Sequence, residues 1–299
     1  MNSPKPAPDW IRAAPALFVL MWATGFVVAR LSAPHVEPLT FLALRFPIAG
    51  ALFAVIAGYL RAPWPGPRLA LHAMVAGAFL HGAYLGPVYW AVAHGMPAGV
   101  AALIVGLQPL ITAILAHFMV GESIGWRHWM GLATGIAGVA LVVAPRLNLA
   151  ALGGITPITT AATLIGAFGI SFGTVYQKRF ATGLNLASGG AWQYFGASLV
   201  VGLGAALTEN FGFDGSIDAW VALAWSVIVL SLGAITLLML LIRHSEVSRV
   251  SGLIFLVPAV AAAMTYLLFG ETLAPVQILG MAVCAGAVLI VTRSPARRV

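Results

Sequence analysis

The chain has 299 residues, of which 61% are hydrophobic and only 8% charged, where a soluble domain carries about 25% charged residues. So little polar surface cannot cover a core in water, which excludes a soluble globular protein and points to an integral membrane protein. The net charge of +7 is read as the Lys and Arg that collect in the cytoplasmic loops of such proteins, not as a nucleic-acid-binding surface.

A bilayer core of about 30 Å takes roughly 20 apolar residues as helix. Breaks at charged, Pro and Gly clusters divide the chain into ten such runs, at 13–32, 38–60, 69–92, 97–119, 126–145, 151–175, 186–207, 218–241, 248–269 and 274–292. The first follows Lys5 and Arg12 and is long enough to span, so it is read as a membrane helix and not as a cleaved signal peptide. Connections are short, and the longest holds Glu209, Asp214 and Asp218. Cys284 is the single cysteine, so no intrachain disulfide forms and no thiolate metal site is expected.

Basic residues set the orientation. With the N-terminus inside, the inner side holds Lys5, Arg12, Arg61, Arg68, Arg127, Lys178, Arg179, Arg243, Arg249, Arg293, Arg297 and Arg298, twelve of the fifteen. Arg30 and Arg146 fall outside and Arg45 within a helix. An even number of helices then leaves both termini in the cytoplasm.

A repeat runs through this pattern. Pro109, Gly121-Glu122 and Gly131 recur as Pro258, Gly270-Glu271 and Gly280, always 149 positions on. Leu107 and Leu256, and Val139 and Val288, keep the same offset. Each half holds five helices, an odd number, so the second half enters the membrane from the opposite side. The expected fold is therefore an all-α integral membrane protein, with ten transmembrane helices as two inverted five-helix repeats (1–147 and 148–299) around a central cavity. Such repeats are a transporter construction, with the solute site where the halves meet.

The paired Pro…Gly-Glu…Gly runs resemble the two EamA domains of the drug/metabolite transporter (DMT) superfamily. The stretches Leu20-Met-Trp-Ala-Thr-Gly-Phe26 and Phe41-Leu-Ala-Leu-Arg-Phe46 resemble that family's first repeat. Within it, Tyr176-Gln-Lys-Arg-Phe180 followed by Ala191-Trp-Gln-Tyr194 is similar to bacterial YddG-type aromatic amino acid exporters. The resemblance implies ten helices, alternating access, and helices 5 and 10 lying outside those that form the cavity.

The carboxylates are informative by position. Asp9, Glu37, Glu122, Glu209, Asp214, Asp218, Glu246 and Glu271 all fall in loops or at helix ends. A proton-driven antiporter of cations usually keeps an acid at mid-membrane, so this pattern favours a neutral or zwitterionic solute. Glu122 and Glu271 are read as turn residues, each accepting backbone N–H bonds at the start of the next helix. Arg45 lies seven residues into its helix, roughly 10 Å along it. Two roles are open to it: snorkelling to a helix end or free carbonyls, or meeting a substrate carboxylate.

His81 and Tyr84 are three apart and share a face. Each is either a packing residue or a substrate contact. Trp22, Tyr176 and Trp192, with the amides Gln108 and Gln193, are the remaining candidates for a cavity of aromatic walls and neutral polar groups. Trp10, Trp64, Trp126, Trp129 and Trp220 read as interfacial anchors. Pro109 and Pro258, expected mid-helix, are hinge candidates or static kinks. No His-Glu-X-X-His pattern occurs, and neither a metal nor an organic cofactor is expected. The expected function is export of aromatic and other neutral amino acids and related metabolites across the bacterial inner membrane, facilitative or weakly proton-coupled. The alternative is export of another small metabolite or drug. The expected unit is a monomer in the lipid bilayer, and not an enzyme.

Overall fold

A computed structural model of the chain describes residues 10–32, 34–96, 101, 104–143, 155–244, 247–269 and 274–293. Gly270 and Glu271 of the second motif lie outside these residues, as do Lys5, Asp9, Arg146, Glu246, Arg297 and Arg298. The described residues form α1 (Trp10–Ser32), α2 (Pro38–Tyr59), α3 (67–93), α4 (Gln108–Val120), α5 (Trp126–Val143), α6 (Pro157–Phe180), α7 (Leu186–Thr208), α8 (217–244), α9 (247–269) and α10 (Pro275–Arg293). By length and composition, α2, α3, α6, α7 and α8 can each cross a membrane.

Proline and small capping side chains set where these helices begin. Pro38, Pro67, Pro157 and Pro275 are the first residues of α2, α3, α6 and α10, where a missing N–H costs nothing and the fixed φ suits the helix. Thr156 and Thr159 exchange bonds in a capping box, with Thr159 N–H donating to Thr156 Oγ1 at 3.1 Å. That stop fixes the start of α6 at Pro157, later than the expected 151, and the helix then continues to Phe180. The side chains of Asn185 and Ser216 cap α7 and α8 by accepting from Ala187 and Ala219 N–H.

Pro109 is not mid-helix, whereas Pro258 stands midway along α9, near the start of its last α-helical part. Residues 106–107 form a turn, α4 starts at Gln108, and Pro109 falls in its first turn. There its lack of an N–H breaks no helical bond, because the first N–H groups of a helix have no partner within it. Just before it, Leu107 N–H reaches only to Ile104 O, at 3.1 Å. In α9 a 3₁₀ turn, Leu253–Phe255, precedes the α-helical part, Leu256 N–H bonds to Leu253 O, and Pro258 is the third residue of Leu256–Phe269. The pairs Leu107/Ile104 and Leu256/Leu253 are again 149 apart. Each repeat thus tightens one turn ahead of its proline.

A second irregularity recurs. α3 contains a π-helical segment at Ala78–Gly82 and α8 one at Ser226–Ala234. Shifted by 149, positions 78–82 become 227–231, inside the second segment. Such turns are rare and gather at functional sites.

The helices pack in matched pairs. α2 lies on α7, α5 on α10, α3 on α6 as α1 on α8, and α4 on α6 as α9 on α1. At the α3–α7 crossing a Cβ on Gly77 would meet the backbone of Gln193, and one on Gly196 the backbone of Met74. Only glycine allows that approach. Gly131 and Gly138 face Val291 and Cys284 of α10, so this seam is filled within the chain. Phe18, Phe41, Phe46, Leu80, Tyr194 and Phe255 are fully buried, whereas Val55, Leu203, Ile217 and Leu279 are exposed.

Candidate functional site

A cavity of about 380 Å³ opens among α1, α2, α3, α8 and α9, with Val105 before α4 and Val139 of α5 completing it. It reaches from Ser32, Pro38 and Ala93, at one end of the bundle, to Leu80, His81 and Leu230 at the π segments. The wall on α3 is His81, Tyr84, Leu85, Val88, Tyr89 and Val92, one stripe at helical spacing. α2 contributes Pro38, Phe41 and Arg45, and α1 contributes Trp22, Gly25 and Ser32.

Arg45 is 6% exposed. Its Nε donates to Ser231 Oγ of the α8 π segment at 3.0 Å. No carboxylate pairs with it among the described residues. The His81 ring stacks on Tyr194 of α7, with centroids 4.6 Å apart and planes 8° from parallel, and Tyr194 occupies the position equivalent to Arg45. Phe46 packs on both rings. His81 Nε2 is buried and has no hydrogen-bond partner among the described residues. The bottom of the cavity is thus a four-helix junction of α2, α3, α7 and α8.

Four of the eight expected contact residues line this cavity: Trp22, Arg45, His81 and Tyr84. The other four lie elsewhere. Gln108 is buried, its Nε2 donating to Thr112 Oγ1 at 3.0 Å while its backbone oxygen accepts from Ser171 Oγ at 3.1 Å. Tyr176 Oη is 2.7 Å from His72 Nδ1 and packs beside Phe180. Trp192 packs near Leu69, Ala181 and Leu184. Gln193 Nε2 donates to Gln177 Oε1 at 3.0 Å beside a cleft of only about 10 Å³. Sequence reasoning did not single out Tyr89, Phe41 or Ser32. Extending the His81–Tyr84 face by helical spacing would have found Tyr89. Nor did it expect a wall residue from α5, where Val139 stands.

Polar contacts brace the two ends of the bundle. At the cavity mouth Glu209 accepts from the N–H groups of Leu39 (2.8 Å) and Thr40 (2.6 Å), capping α2 from the end of α7. Glu37 Oε2 accepts from Asn210 and Gly212 N–H at 3.1 and 2.7 Å. His35 Nδ1 is 2.6 Å from Asp214 Oδ2. The Ser216 backbone N–H and then the His35 side chain hold the Asp214 carboxyl below its ordinary pKa.

At the opposite end Lys178 Nζ donates to Ile242 O at 2.7 Å, Arg179 to Met119 O, and Arg243 to Leu184 O. Gly121, with φ +72°, ends α4 in the left-handed region as the Gly-Glu motif predicts. Glu122 reaches beyond its own turn. Its Oε1 accepts from Val247 N–H at 2.8 Å, the first residue of α9. The motif of one half caps a helix of the other, because the α4–α5 turn and the start of α9 meet at this end.

The described residues form a bundle of apolar helices, five of them long and apolar enough to cross a membrane, around a solute-sized cavity with the buried Arg45 in its wall. The profile of the EamA-like transporter family matches residues 13–144 and again 158–293, and the chain belongs to that family. Among its relatives is the uncharacterized inner membrane transporter YedA of Escherichia coli K12, 28% identical over 93% of this chain and 89% of its own. The probable amino-acid metabolite efflux pump of the same organism is 27% identical over 92% and 90%. The probable terminal-alkyne amino-acid exporter of Streptantibioticus cattleyicolor is 28% identical over 94% and 93%. A solved crystal structure shares the fold with a TM-score of 0.78 at 19% identity, covering 96% of this chain and 98% of that one.

Proposed function

We propose that this protein exports aromatic and other neutral amino acids and related small metabolites across the bacterial inner membrane, by alternating access between two inverted five-helix repeats, 1–147 and 148–299. The observation that carries this reading is the cavity of about 380 Å³ with Arg45 in its wall, in a chain that matches a transporter family twice. Trp22, Arg45, His81 and Tyr84 are the substrate contacts, with Arg45 taking the carboxylate and the aromatic and aliphatic wall taking the side chain. The names of two relatives, an amino-acid metabolite efflux pump and an amino-acid exporter, support that solute class.

Inversion is supported by the matched helix pairs and by the paired π segments and tightened turns. Both halves supply wall residues, so one chain suffices as the transport unit. Arg61, Arg68, Arg127, Lys178, Arg179 and Arg243 fall at the Glu122 end, which is therefore the cytoplasmic one. The cavity then reaches toward the periplasm, and the basic side chains bonded across the cytoplasmic end are the contacts that must release for it to open inward. Pro109 and Pro258, each behind a tightened turn, are where α4 and α9 pivot. Reconstituted in liposomes, the protein should carry labelled neutral amino acids or their carboxylate derivatives. Protein-dependent flux of none of them would overturn the reading.

A further inference from the structure

Resting on that site, the geometry points to a sharper substrate class: monocarboxylate anions with an apolar or aromatic tail and no free ammonium, such as N-acylated amino acids and 2-hydroxy or 2-oxo acids, preferred over the zwitterion with the same side chain. Charge balance in a place of low dielectric sets this preference. Among the described residues Arg45 is the one formal charge on the wall, and no Asp or Glu lines it. A solute that brings one carboxylate leaves the filled cavity neutral. A zwitterion supplies the same carboxylate but also an ammonium, so the filled cavity keeps a net positive charge, and that ammonium has no anion to meet.

The neutral groups on the wall do not change this count. Ser32, Tyr84 and Tyr89 can accept a hydrogen bond but cannot neutralise a cation. A proton on His81 would add positive charge and strengthen the same preference. The described acids at the mouth are engaged. Glu209 holds the α2 N-terminus, Glu37 the 210–212 turn, and Asp214 the Ser216 N–H and His35. Glu209 and Glu37 cannot swing toward a substrate amine without uncapping the chain they hold. The remaining wall is apolar and aromatic, with Phe41, Leu85, Val88, Ile254 and Val257, and about 380 Å³ suits one aryl-alkyl acid.

The test uses purified full-length protein and four probes sharing one tail: N-acetylphenylalanine, phenyllactate, phenylalanine and phenethylamine. Thermal stabilisation in detergent and uptake into proteoliposomes are read for each. The two anions are expected to half-saturate at concentrations at least tenfold below phenylalanine, and phenethylamine should fail to compete. Arg45→Gln should bring the anions level with phenylalanine, while Arg45→Lys keeps part of the preference. The wild-type ranking stands as a test even where the variants do not fold. Phenylalanine bound or carried as well as the two anions overturns this inference and leaves the transport reading intact. No response to any probe, in either assay, overturns both.

Discussion

At Arg45 the cost of the position bears directly on its use. A guanidinium held among helices loses its hydration, and such a group persists only where hydrogen bonds and a counter-charge offset the loss. Ser231 supplies one hydrogen bond, and on the proposed function the counter-charge is what the substrate brings. Asp214 is the opposite case, a fully exposed carboxyl at the cavity mouth held in its ionised form by the Ser216 backbone N–H and by His35. A depressed carboxyl contributes stability that is present above its unfolded pKa and lost as pH falls through its folded one. Solvent screening keeps that contribution small, so the useful observable is the titration itself. Carbon-detected NMR should give Asp214 a midpoint below the ordinary carboxylate range, shifting upward in His35→Ala. An Asp214 that titrates normally would show that the pair does not form in solution. The residue-level reading from sequence was partial for a plain reason. His81 and Tyr84 were visible because they lie three apart on one helix face, whereas Gln193 shares depth with them but faces Gln177. Depth is legible from segment boundaries, and facing depends on how helices rotate against each other.

At the level of elements, the sequence motif and the contact it makes separate. Pro…Gly-Glu…Gly reads as a local helix–turn–helix device, and Gly121 does end α4 with a left-handed φ. The carboxylate of Glu122, however, is used on α9, in the other half of the chain. The energetic content resembles a helix N-cap, so Glu122→Ala should cost about 0.5–2 kcal/mol, read as a lowered unfolding midpoint in detergent. If, as proposed, the two halves part for inward opening, the same variant should also make a cysteine placed at Leu184 more accessible to a thiol reagent in a Cys284→Ala background. Unchanged midpoint and unchanged labelling together would leave Glu122 as a turn residue only. The helix boundaries themselves were mostly legible, because Pro38, Pro67, Thr156-Pro157 and Pro275 act through local backbone chemistry. The π segments in α3 and α8 were not, since no local residue pattern marks an added residue per turn.

For the whole molecule, net charge moved per cycle follows from the site. If the carried species is a monoanion bound to Arg45, and the empty protein returns alone, each cycle moves one negative charge outward. An inside-negative potential then drives export with about 2.3 kcal/mol per 100 mV for one charge, and no proton gradient is required. Proteoliposomes loaded with N-acetylphenylalanine should release it faster under a potassium diffusion potential that is negative inside. Collapsing a pH gradient alone should change little. Release that follows the pH gradient and ignores the potential would show that a proton is carried instead.

Composition by itself determined that the chain lives in a membrane, because 8% charged residues cannot solvate a globule of this size. The 149-residue offset determined that it is built twice, since Pro109/Pro258 and Gly131/Gly280 keep register. Family membership followed from the same motif and is what the matched profile gives. The tertiary structure decided which polar groups share a space. It joined Arg45, Ser231, His81 and Tyr194 from four helices, left Gln108, Tyr176, Trp192 and Gln193 out, and sent Glu122 across the repeat boundary. The physical reason is that composition, caps and periodicity act within a few residues along the chain. Which faces meet is set by close approaches such as Gly77 on Gln193 and Gly196 on Met74, and these rest on pairs more than a hundred residues apart.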